Sequence, residues 1–451
     1  MKVNFLDCDR KTTYLFPPSL EDWLPEGHLA RFVVEIVEQL DLFSLKDSYS
    51  GRGSYPYNPV MLVALLFYGY ATGVFSSRKL ERSTYDSVAF RYIAANSHPD
   101  HDTIAVFRRR FLPELTKIFV RILEIASQMK VLKLGTVSLD GTKIKANASR
   151  HKAFSYNHAL RLEEQLKAEV AELLKKAEVA DQEDIPDGMS IPEEIIRREE
   201  RLKAIVEAKA EIERRAALRY VTEQEVYKKK IAERSEKEEK TGKKPKGSAP
   251  KPPAAGPHGK DQVNLTDSES RIMPAGGGFE QAYNAQVTVD TDSMLIVADH
   301  VSQNTNDKKE LEPALDRIDT LPRELGVVNT LIADSGYFSE ENVTSCEAKQ
   351  IAPYIAPGRE GHNQPLMERF LEPPPLSDDA DCVARMKHNL KTSVGKAIYA
   401  TRKGTVEPVF GIIKSVMGFR SFLLRGLELV TAEWKLVCIA WNLKRLHALT
   451  S

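Results

Sequence analysis

The sequence predicts an α/β protein in which a mixed sheet with helices follows an all-α N-terminal region and is interrupted by a long charged helical hairpin. Three observations predict this class. Residues 20–130 repeat apolar side chains at helical spacing, short apolar runs of strand type end at Leu139 and Ala333, and residues 151–260 are rich in charge. The 451 residues are enough for two or three domains.

The N-terminal region is predicted to consist of several helices. A second helix begins at Asn58, with Pro59 at its first position, and Ser76 or Ser77 caps the next helix after a turn at Gly73. Two helices joined by a short glycine-bearing turn are typical of a helix-turn-helix. The first helix is predicted from an apolar stripe, which consists of Leu29, Phe32, Val33, Ile36, Val37 and Leu40.

A further helix follows Asp102, and its Arg108, Arg109 and Arg110 are candidates for contacts with DNA phosphates. Residues 51–130 carry 11 Lys and Arg against 6 Asp and Glu, which favours this interpretation. The alternative is that these helices form only a packing or dimerisation domain, with the arginines on a solvated face.

The first strand is predicted in GTVSLD, and a charged insertion follows it. Residues 151–260 contain 24 Lys and Arg and 22 Asp and Glu. Apolar residues at helical spacing predict two antiparallel helices, over 155–179 and 191–238, with a capping box from Ser190 to Glu193. The run KTGKKPKGSAPKPPAAGPHGK after them is typical of a flexible basic linker.

Regular structure is predicted to resume at residue 279 with two strands, FEQAYNAQVTVD and SMLIVADHVSQ. A helix capped by Asn306, the buried strand TLIAD, a helix after Ser339 and the short strand IAPYIAP follow. With the insertion left out, this order is that of the ribonuclease-H-like fold, in which the first and fourth strands are parallel neighbours.

Three acidic residues are predicted to converge at one edge of this sheet. Asp140 and Asp334 end the first and fourth strands, and Glu407 lies among apolar residues at helical spacing. Each has an ordinary explanation as a turn or cap residue. Together, three carboxylates without Cys or His favour Mg²⁺ or Mn²⁺, and a pair of such ions suits phosphodiester chemistry.

Four segments carry a resemblance to a known family: LDGTKIKANAS, EQAYNAQ, LIADSGYFSEEN and TVEPVFGIIKSVMGFRSFLLRG. They resemble the catalytic core of the DDE transposases of bacterial insertion sequences, in the branch with a tyrosine, arginine, glutamate and lysine signature. The stretch from LPEGHLARFV to DHDTIAVFRRRF is similar to the helical domain that precedes this core. The resemblance covers about residues 20–150 and 265–448.

The resemblance implies that Asp140, Asp334 and Glu407 form a catalytic triad that binds divalent metal. It also implies DNA contacts from the signature residues. Lys414 matches the signature lysine, whereas Tyr399 and Arg402 are each one residue farther from Glu407 than usual, and Lys403 stands at the arginine's expected place. Either Arg402 or Lys403 therefore fits the arginine's role.

The resemblance further implies cleavage and joining of double-stranded DNA at the element's ends by a dimer or larger assembly. The two alternatives are a nuclease that cuts without joining and an inactive DNA-binding relic. The predicted domains are a DNA-binding domain at 1–130, a catalytic domain at 131–150 plus 265–451, and the hairpin and linker at 151–264. Four scattered cysteines and the lack of a long apolar run predict a cytoplasmic, nucleoid-associated protein without membrane segments.

Overall fold

A computed structural model provides the structure of the chain. It describes residues 19–47, 49, 56–149, 152–180, 191–242, 247–275, 278–358, 371–377 and 379–451. The described residues divide into two compact units. The first unit comprises the residues up to 144, 284–423 and 428–451, and the second comprises 145–283 and 424–427.

The helices are α1 (Leu29–Glu38), α2 (Phe43–Asp47), α3 (Pro59–Ala71), α4 (Ser77–Asp86), α5 (Val88–Ile93), α6 (His101–Phe111), α7 (Leu115–Gln128), α8 (Tyr156–Ala180), α9 (Ile191–Thr241), α10 (Leu311–Asp319), α11 (Glu340–Ala348), α12 (Cys382–Lys391), α13 (Ser393–Ser415) and α14 (Leu427–Thr450). The strands are β1 (Leu134–Lys145), β2 (Ala153–Ser155), β3 (Gln262–Asn264), β4 (Arg271–Ala275), β5 (Gly278–Asp290), β6 (Ile296–Ser302), β7 (Gly326–Ala333) and β8 (Ala352–Ile355).

The sheet of the first unit has the strand order β6, β5, β1, β7, β8. Strands β5 and β6 are antiparallel, whereas β1, β7 and β8 run parallel to one another. Val137 is paired with Leu331, and Leu139 with Ala333. The predicted ribonuclease-H-like arrangement is therefore confirmed, including the parallel pairing of the first and fourth core strands.

Helix α14 closes the core of this unit against the sheet. Trp434 and Trp441 are buried, and their indole N–H groups donate to the carbonyls of Gln286 at 3.1 Å and Met294 at 3.0 Å. The Asn442 side chain bonds both the N–H and the C=O of Ile296. Burial of the large indoles supplies apolar contact area, while these hydrogen bonds fix the helix along β5 and β6.

The N-terminal helices belong to the same compact unit. Asn58 caps α3 through the N–H of Val60, and Ser76 caps α4 through the N–H of Lys79. Helix α3 is buried from Leu62 to Ala71, as expected for a helix that is apolar on all sides. The Tyr70 hydroxyl on α3 donates to the buried carboxylate of Glu433 on α14 at 3.1 Å, which joins these helices to the sheet-covering layer.

The second unit is built on the antiparallel pair α8 and α9. The buried side chains at their contact are Ala159, Leu162, Leu166 and Ile205. Ion pairs across the two helices join Arg198 to Glu169 and Lys209 to Glu163, each at 2.9 Å. The balanced charge of this segment thus lies on a hairpin of paired helices, as predicted. Strands β2 and β3 are paired at its base, and β4 is paired with residues 278–282 of β5.

Two local predictions need comment. Helix α10 begins at Leu311, so Asn306 is not its cap; residues 305–310 form turns, in which the N–H of Glu310 bonds the carbonyl of Asp307. Ser190 of the predicted capping box lies outside the described residues. The three-part domain division stays a prediction. In the described part of the chain, no helix is both long and apolar enough to cross a membrane.

Candidate active site

Asp140 and Asp334 each follow the last residue pair between β1 and β7. Strand β1 continues past Asp140 to Lys145, so the prediction that Asp140 ends the first strand is wrong. Leu139 on β1 is paired with Ala333 on β7, and each is followed directly by an acidic residue, Asp140 or Asp334. Because β1 and β7 are parallel, both carboxylates lie at the same edge of the sheet. Asp334 also caps a short 3₁₀ turn, since its Oδ1 accepts from the N–H of Gly336 at 2.8 Å.

Asp140 has an unusual electrostatic environment for a carboxylate. Its Oδ1 accepts from the N–H of Gly141 at 2.8 Å, and its Oδ2 accepts from Nη1 of Arg402 at 3.1 Å. Burial raises the pKa of Asp140 to about 6, and the charges of Asp334 and Asp307 act in the same direction. The Gly141 and Arg402 contacts oppose this change only in part, so the local field favours another cation.

Helix α13 carries the third carboxylate, Glu407, and a guanidinium that contacts it. Arg402 contacts Glu407 through Nη2 at 3.3 Å while its Nη1 contacts Asp140, so one guanidinium joins the helix to β1. Glu407 is 51% exposed at its side chain. Lys403 is exposed, and it is Arg402 that contacts the carboxylates. Which of the two residues takes the signature arginine's role toward DNA stays a prediction.

The remaining signature residues flank this contact. The Lys414 ammonium donates to the Thr142 hydroxyl, two residues beyond Asp140, and burial lowers the pKa of Lys414 while the Asp140 charge opposes that shift. Burial raises the pKa of Tyr399, which also interacts with Arg402. Tyr399, Arg402, Glu407 and Lys414 thus span about four turns of α13, and two of them, Arg402 and Lys414, contact the part of β1 that carries Asp140.

A buried polar network lies behind the aspartates. Oδ1 of Asp307 accepts from Lys143 Nζ at 2.9 Å, Asn284 Nδ2 at 2.7 Å and Gln286 Nε2 at 2.8 Å. Gln286 in turn accepts from the hydroxyl of Tyr337, in the turn that follows Asp334. Asn284, Gln286 and Tyr337 are fully buried, so these bonds satisfy polar groups that have no access to water.

The sequence did not identify Asp307 or Lys143 as part of this region. Asn284 and Gln286 lie in the predicted strand FEQAYNAQVTVD. A signal was nevertheless present, because two amides two residues apart in a strand point to the same face and require polar partners if that face is buried.

The carboxylates of Asp140, Asp334 and Glu407 do not surround a single metal position in this conformation. Among the described residues, no three His, Cys, Asp or Glu side chains are grouped closely enough to hold one metal ion. The donor set still suits a hard divalent ion, since Asp140, Asp334 and Glu407 offer only oxygen ligands. A cationic group, the guanidinium of Arg402, already lies between two of them.

The three arginines of α6 differ in their surroundings. Arg108 is buried, at 8% exposure, and donates to the carbonyl of Phe75 at 3.1 Å and toward the hydroxyl of Tyr70 at 3.4 Å. Its guanidinium therefore stabilises the packing of α3, and we do not retain it as a phosphate contact. Arg109 and Arg110 are exposed, and Arg110 lies over the ring of Tyr49.

Two protein-family profiles match the chain. The family described as "Transposase DDE domain" matches residues 249–443, and the family described as "Transposase domain (DUF772)" matches residues 18–110. The first match includes Asp334 and Glu407 but begins after Asp140, which the charged hairpin separates from the rest of the core. No curated protein and no solved structure matches the chain significantly.

Proposed function

Because the chain belongs to the DDE transposases of insertion-sequence elements, we propose that it cleaves DNA at the ends of such an element and joins those ends to a target. Transposases of this family generally use divalent metal ions. We assign Asp140, Asp334 and Glu407 as the residues that hold Mg²⁺ or Mn²⁺, in a site for two ions. The reaction is a phosphodiester transfer without a covalent protein–DNA intermediate.

One observation carries this proposal: β1 and β7 are parallel neighbours, Asp140 and Asp334 each follow their last residue pair, and Arg402 of α13 links Asp140 to Glu407. This supports a site in which two carboxylates beside the sheet and one on α13, from distant parts of the chain, are linked by a shared cationic contact. When bound, divalent ions there activate the attacking oxygen and stabilise the leaving oxygen of a phosphodiester.

The protein's own groups have separable tasks in this reaction. The carboxylates attract and orient cations. Burial and repulsion from neighbouring carboxylates disfavour the ionised form of Asp140, and a nearby cation stabilises that form. Lys414, held beside Asp140 through Thr142, supplies a positive charge for a DNA phosphate near the scissile bond. Arg402, Lys403 and Tyr399 on α13 are assigned to the DNA backbone beside it.

The wider DNA interface is proposed to include the N-terminal helices. Helix α4 follows α3 after a short turn at Gly73 and exposes Arg78, Lys79 and Arg82, as a recognition helix requires. Arg109 and Arg110 add phosphate contacts from α6. Pairing of two element ends requires a dimer or larger assembly, and the α8–α9 hairpin is the proposed surface for that assembly.

Two other functions remain as alternatives on the same fold. A nuclease would cut end DNA without joining it, and a DNA-binding relic would do neither. The presence of Lys414 beside an intact set of three carboxylates favours an active enzyme over a relic. Residues 18–110 match an N-terminal transposase domain, which cleavage alone does not require. This match favours the transposase over a simple nuclease.

The test uses the purified protein with labelled DNA that flanks its coding region, plus target plasmid and either Mg²⁺ or Mn²⁺. We expect cleaved ends and strand-transfer products from the wild type, and loss of both by at least about 10²-fold in Asp140→Asn. The matched control is Asp316→Asn, since Asp316 is 67% exposed on α10, away from this constellation. Sedimentation with and without end DNA measures assembly.

Each outcome separates the candidates. Cleavage without joined product would support the nuclease, and DNA binding without cleavage in any divalent ion would support the relic. Full activity in Asp140→Asn would remove Asp140 from the catalytic site. Inverted repeats on both sides of the coding region would identify the ends to be tested.

A further inference from the structure

We propose that Asp307 is a positioning residue that holds the segment of β1 around Asp140 and the Asp334 turn in register, a role that deepens the proposed function and rests on it. Asp307 lies outside the three carboxylates of the triad, in the turn that precedes α10. It contacts neither DNA nor a reacting atom in this assignment. It acts through the residues that it binds.

One oxygen atom of Asp307 accepts hydrogen bonds from donors on two strands. Oδ1 of Asp307 accepts from Lys143, three residues beyond Asp140 on β1, and from Asn284 and Gln286 on β5. Lys143 and Asp307 are both largely buried, and their ion pair is 2.9 Å long. A charge-assisted bond combined with two amide bonds is a strong and geometrically demanding anchor.

This anchor also reaches the turn at Asp334. Gln286 donates to Asp307 with its Nε2 and accepts the Tyr337 hydroxyl with its Oε1, so its two amide atoms face different partners. Tyr337 lies in the 3₁₀ turn that Asp334 caps. The chain of bonds therefore runs from β1 through Asp307 and Gln286 to the Asp334 turn.

Two glycines show how closely Asp307 and Gln286 approach the backbone at both aspartates. A Cβ on Gly141, the residue after Asp140, would lie 2.0 Å from Gln286 Nε2 and 2.9 Å from Asp307 Oδ1. A Cβ on Gly336, two residues after Asp334, would lie 3.8 Å from the Cβ of Asp307. Asp307 thus lies between the segments that carry the two carboxylates, where movement of its side chain is transmitted to both.

Loss of this anchor has a specific consequence. Without Asp307, Lys143 loses its ion-pair partner and the buried amides of Asn284 and Gln286 lose an acceptor. These groups then rearrange, and the segment of β1 around Asp140 and the Asp334 turn are no longer held together. A misplacement of about 1 Å in a catalytic constellation can reduce the rate about 10²-fold.

The experiment compares Asp307→Ala and Asp307→Asn with the surface control Asp316→Asn. Hydrogen–deuterium exchange is measured on peptides that cover residues 137–143 and 331–338, together with urea unfolding and end cleavage. We expect faster exchange in both peptides and a cleavage rate lowered about 10²-fold in Asp307→Ala. Asp307→Asn, which keeps an acceptor oxygen but no charge, should show a smaller loss, and end-DNA affinity should be unchanged.

The exchange measurement does not depend on catalysis, so the two proposals fail in different ways. Wild-type exchange and a wild-type cleavage rate in Asp307→Ala would overturn the positioning role. Faster exchange spread evenly over the first unit, with activity reduced only in proportion to unfolded protein, would also overturn it, because that pattern means general stability. If the wild type cleaves no DNA while Asp307→Ala loosens only these two peptides, the positioning role stands and the proposed function fails.

Discussion

Replacement of Arg402 by methionine tests whether a guanidinium occupies the place of a metal ion in the free protein. Arg402 lies 3.1 Å from Asp140 and 3.3 Å from Glu407, and the side chains of Arg402 and Asp140 are only 15% and 18% exposed. Arg402→Met removes the charge and retains much of the apolar stem. It leaves Asp140 buried beside Asp334 without its cationic partner.

The magnitude follows from the two contacts. Removal of one partner from a buried ion pair costs about 3–5 kcal/mol, and an exposed pair contributes at most about 1 kcal/mol. The Asp140 contact is nearly buried and the Glu407 contact is half exposed. We therefore expect Arg402→Met to lower the free energy of unfolding by about 2–3 kcal/mol without divalent ions.

A divalent ion should restore part of this loss. In the variant the carboxylates have no competing cation, so Mg²⁺ binds the folded state more tightly and stabilises it by about 2.7 kcal/mol at a concentration of 100 times Kd. In the wild type the same concentration should stabilise less, because Arg402 already offsets part of the repulsion. The prediction is therefore tested by the difference between the Mg²⁺ stabilisation of Arg402→Met and that of the wild type.

The assay is urea unfolding with and without Mg²⁺, followed by tryptophan fluorescence. The three tryptophans, Trp23, Trp434 and Trp441, all belong to the first unit and report on its unfolding. Lys403→Met is the matched control, since Lys403 is the exposed neighbour of Arg402 on α13. Equal stability of Arg402→Met and the wild type without metal, together with equal Mg²⁺ responses, would refute the reasoning.

Two further predictions follow from the same structure. Gly141→Ala should lower the end-cleavage rate about 10²-fold with little change in DNA affinity, because its Cβ would lie 2.0 Å from Gln286 Nε2; unchanged kinetics would show that the amide moves freely. Hydrogen bonds from Arg214 lower the pKa of Glu211 to about 2, against burial and together with Arg215. Glu211 thus stabilises the fold above the unfolded-state pKa of about 4.3 and loses this effect as the pH falls toward 2. Glu211→Gln should cost about 1 kcal/mol at pH 7, and circular dichroism should show this difference disappear between about pH 4.3 and pH 2.

The strand order could be predicted from the sequence because it depends on patterns that the sequence shows directly. Apolar runs that end in Asp140 and Asp334 mark buried strands, and their order with the intervening helices admits few topologies. The parallel pairing of Leu139 with Ala333 confirms that part. The catalytic role of the acidic residues stays a prediction, although the structure brings the carboxylates near one guanidinium.

The side-chain contacts of the candidate site could not be predicted, because they depend on side-chain directions that hydrophobic periodicity does not determine. Consecutive helical residues point about 100° apart, and which of them faces the protein depends on how the helix packs. Spacing alone therefore could not show that Arg402 contacts the carboxylates while Lys403 is exposed, or that Arg108 faces the protein interior. Asp307 lies in a turn whose composition suggested a helix cap. Its place beside Gly141 is a tertiary contact between residues far apart in the sequence, which no local pattern contains.

The point of insertion of the charged hairpin has a consequence for folding and for sequence change. The first unit is interrupted after residue 144 on β1 and resumes at 284 on β5, and these strands are neighbours in the sheet. The inserted residues 145–283 therefore act as one closed loop between two adjacent strands. Loop-closure entropy grows only logarithmically, so a doubling of its length costs the sheet about 0.6 kcal/mol. Insertions of very different size can thus be gained or lost at this junction while the pairing that carries Asp140 is preserved.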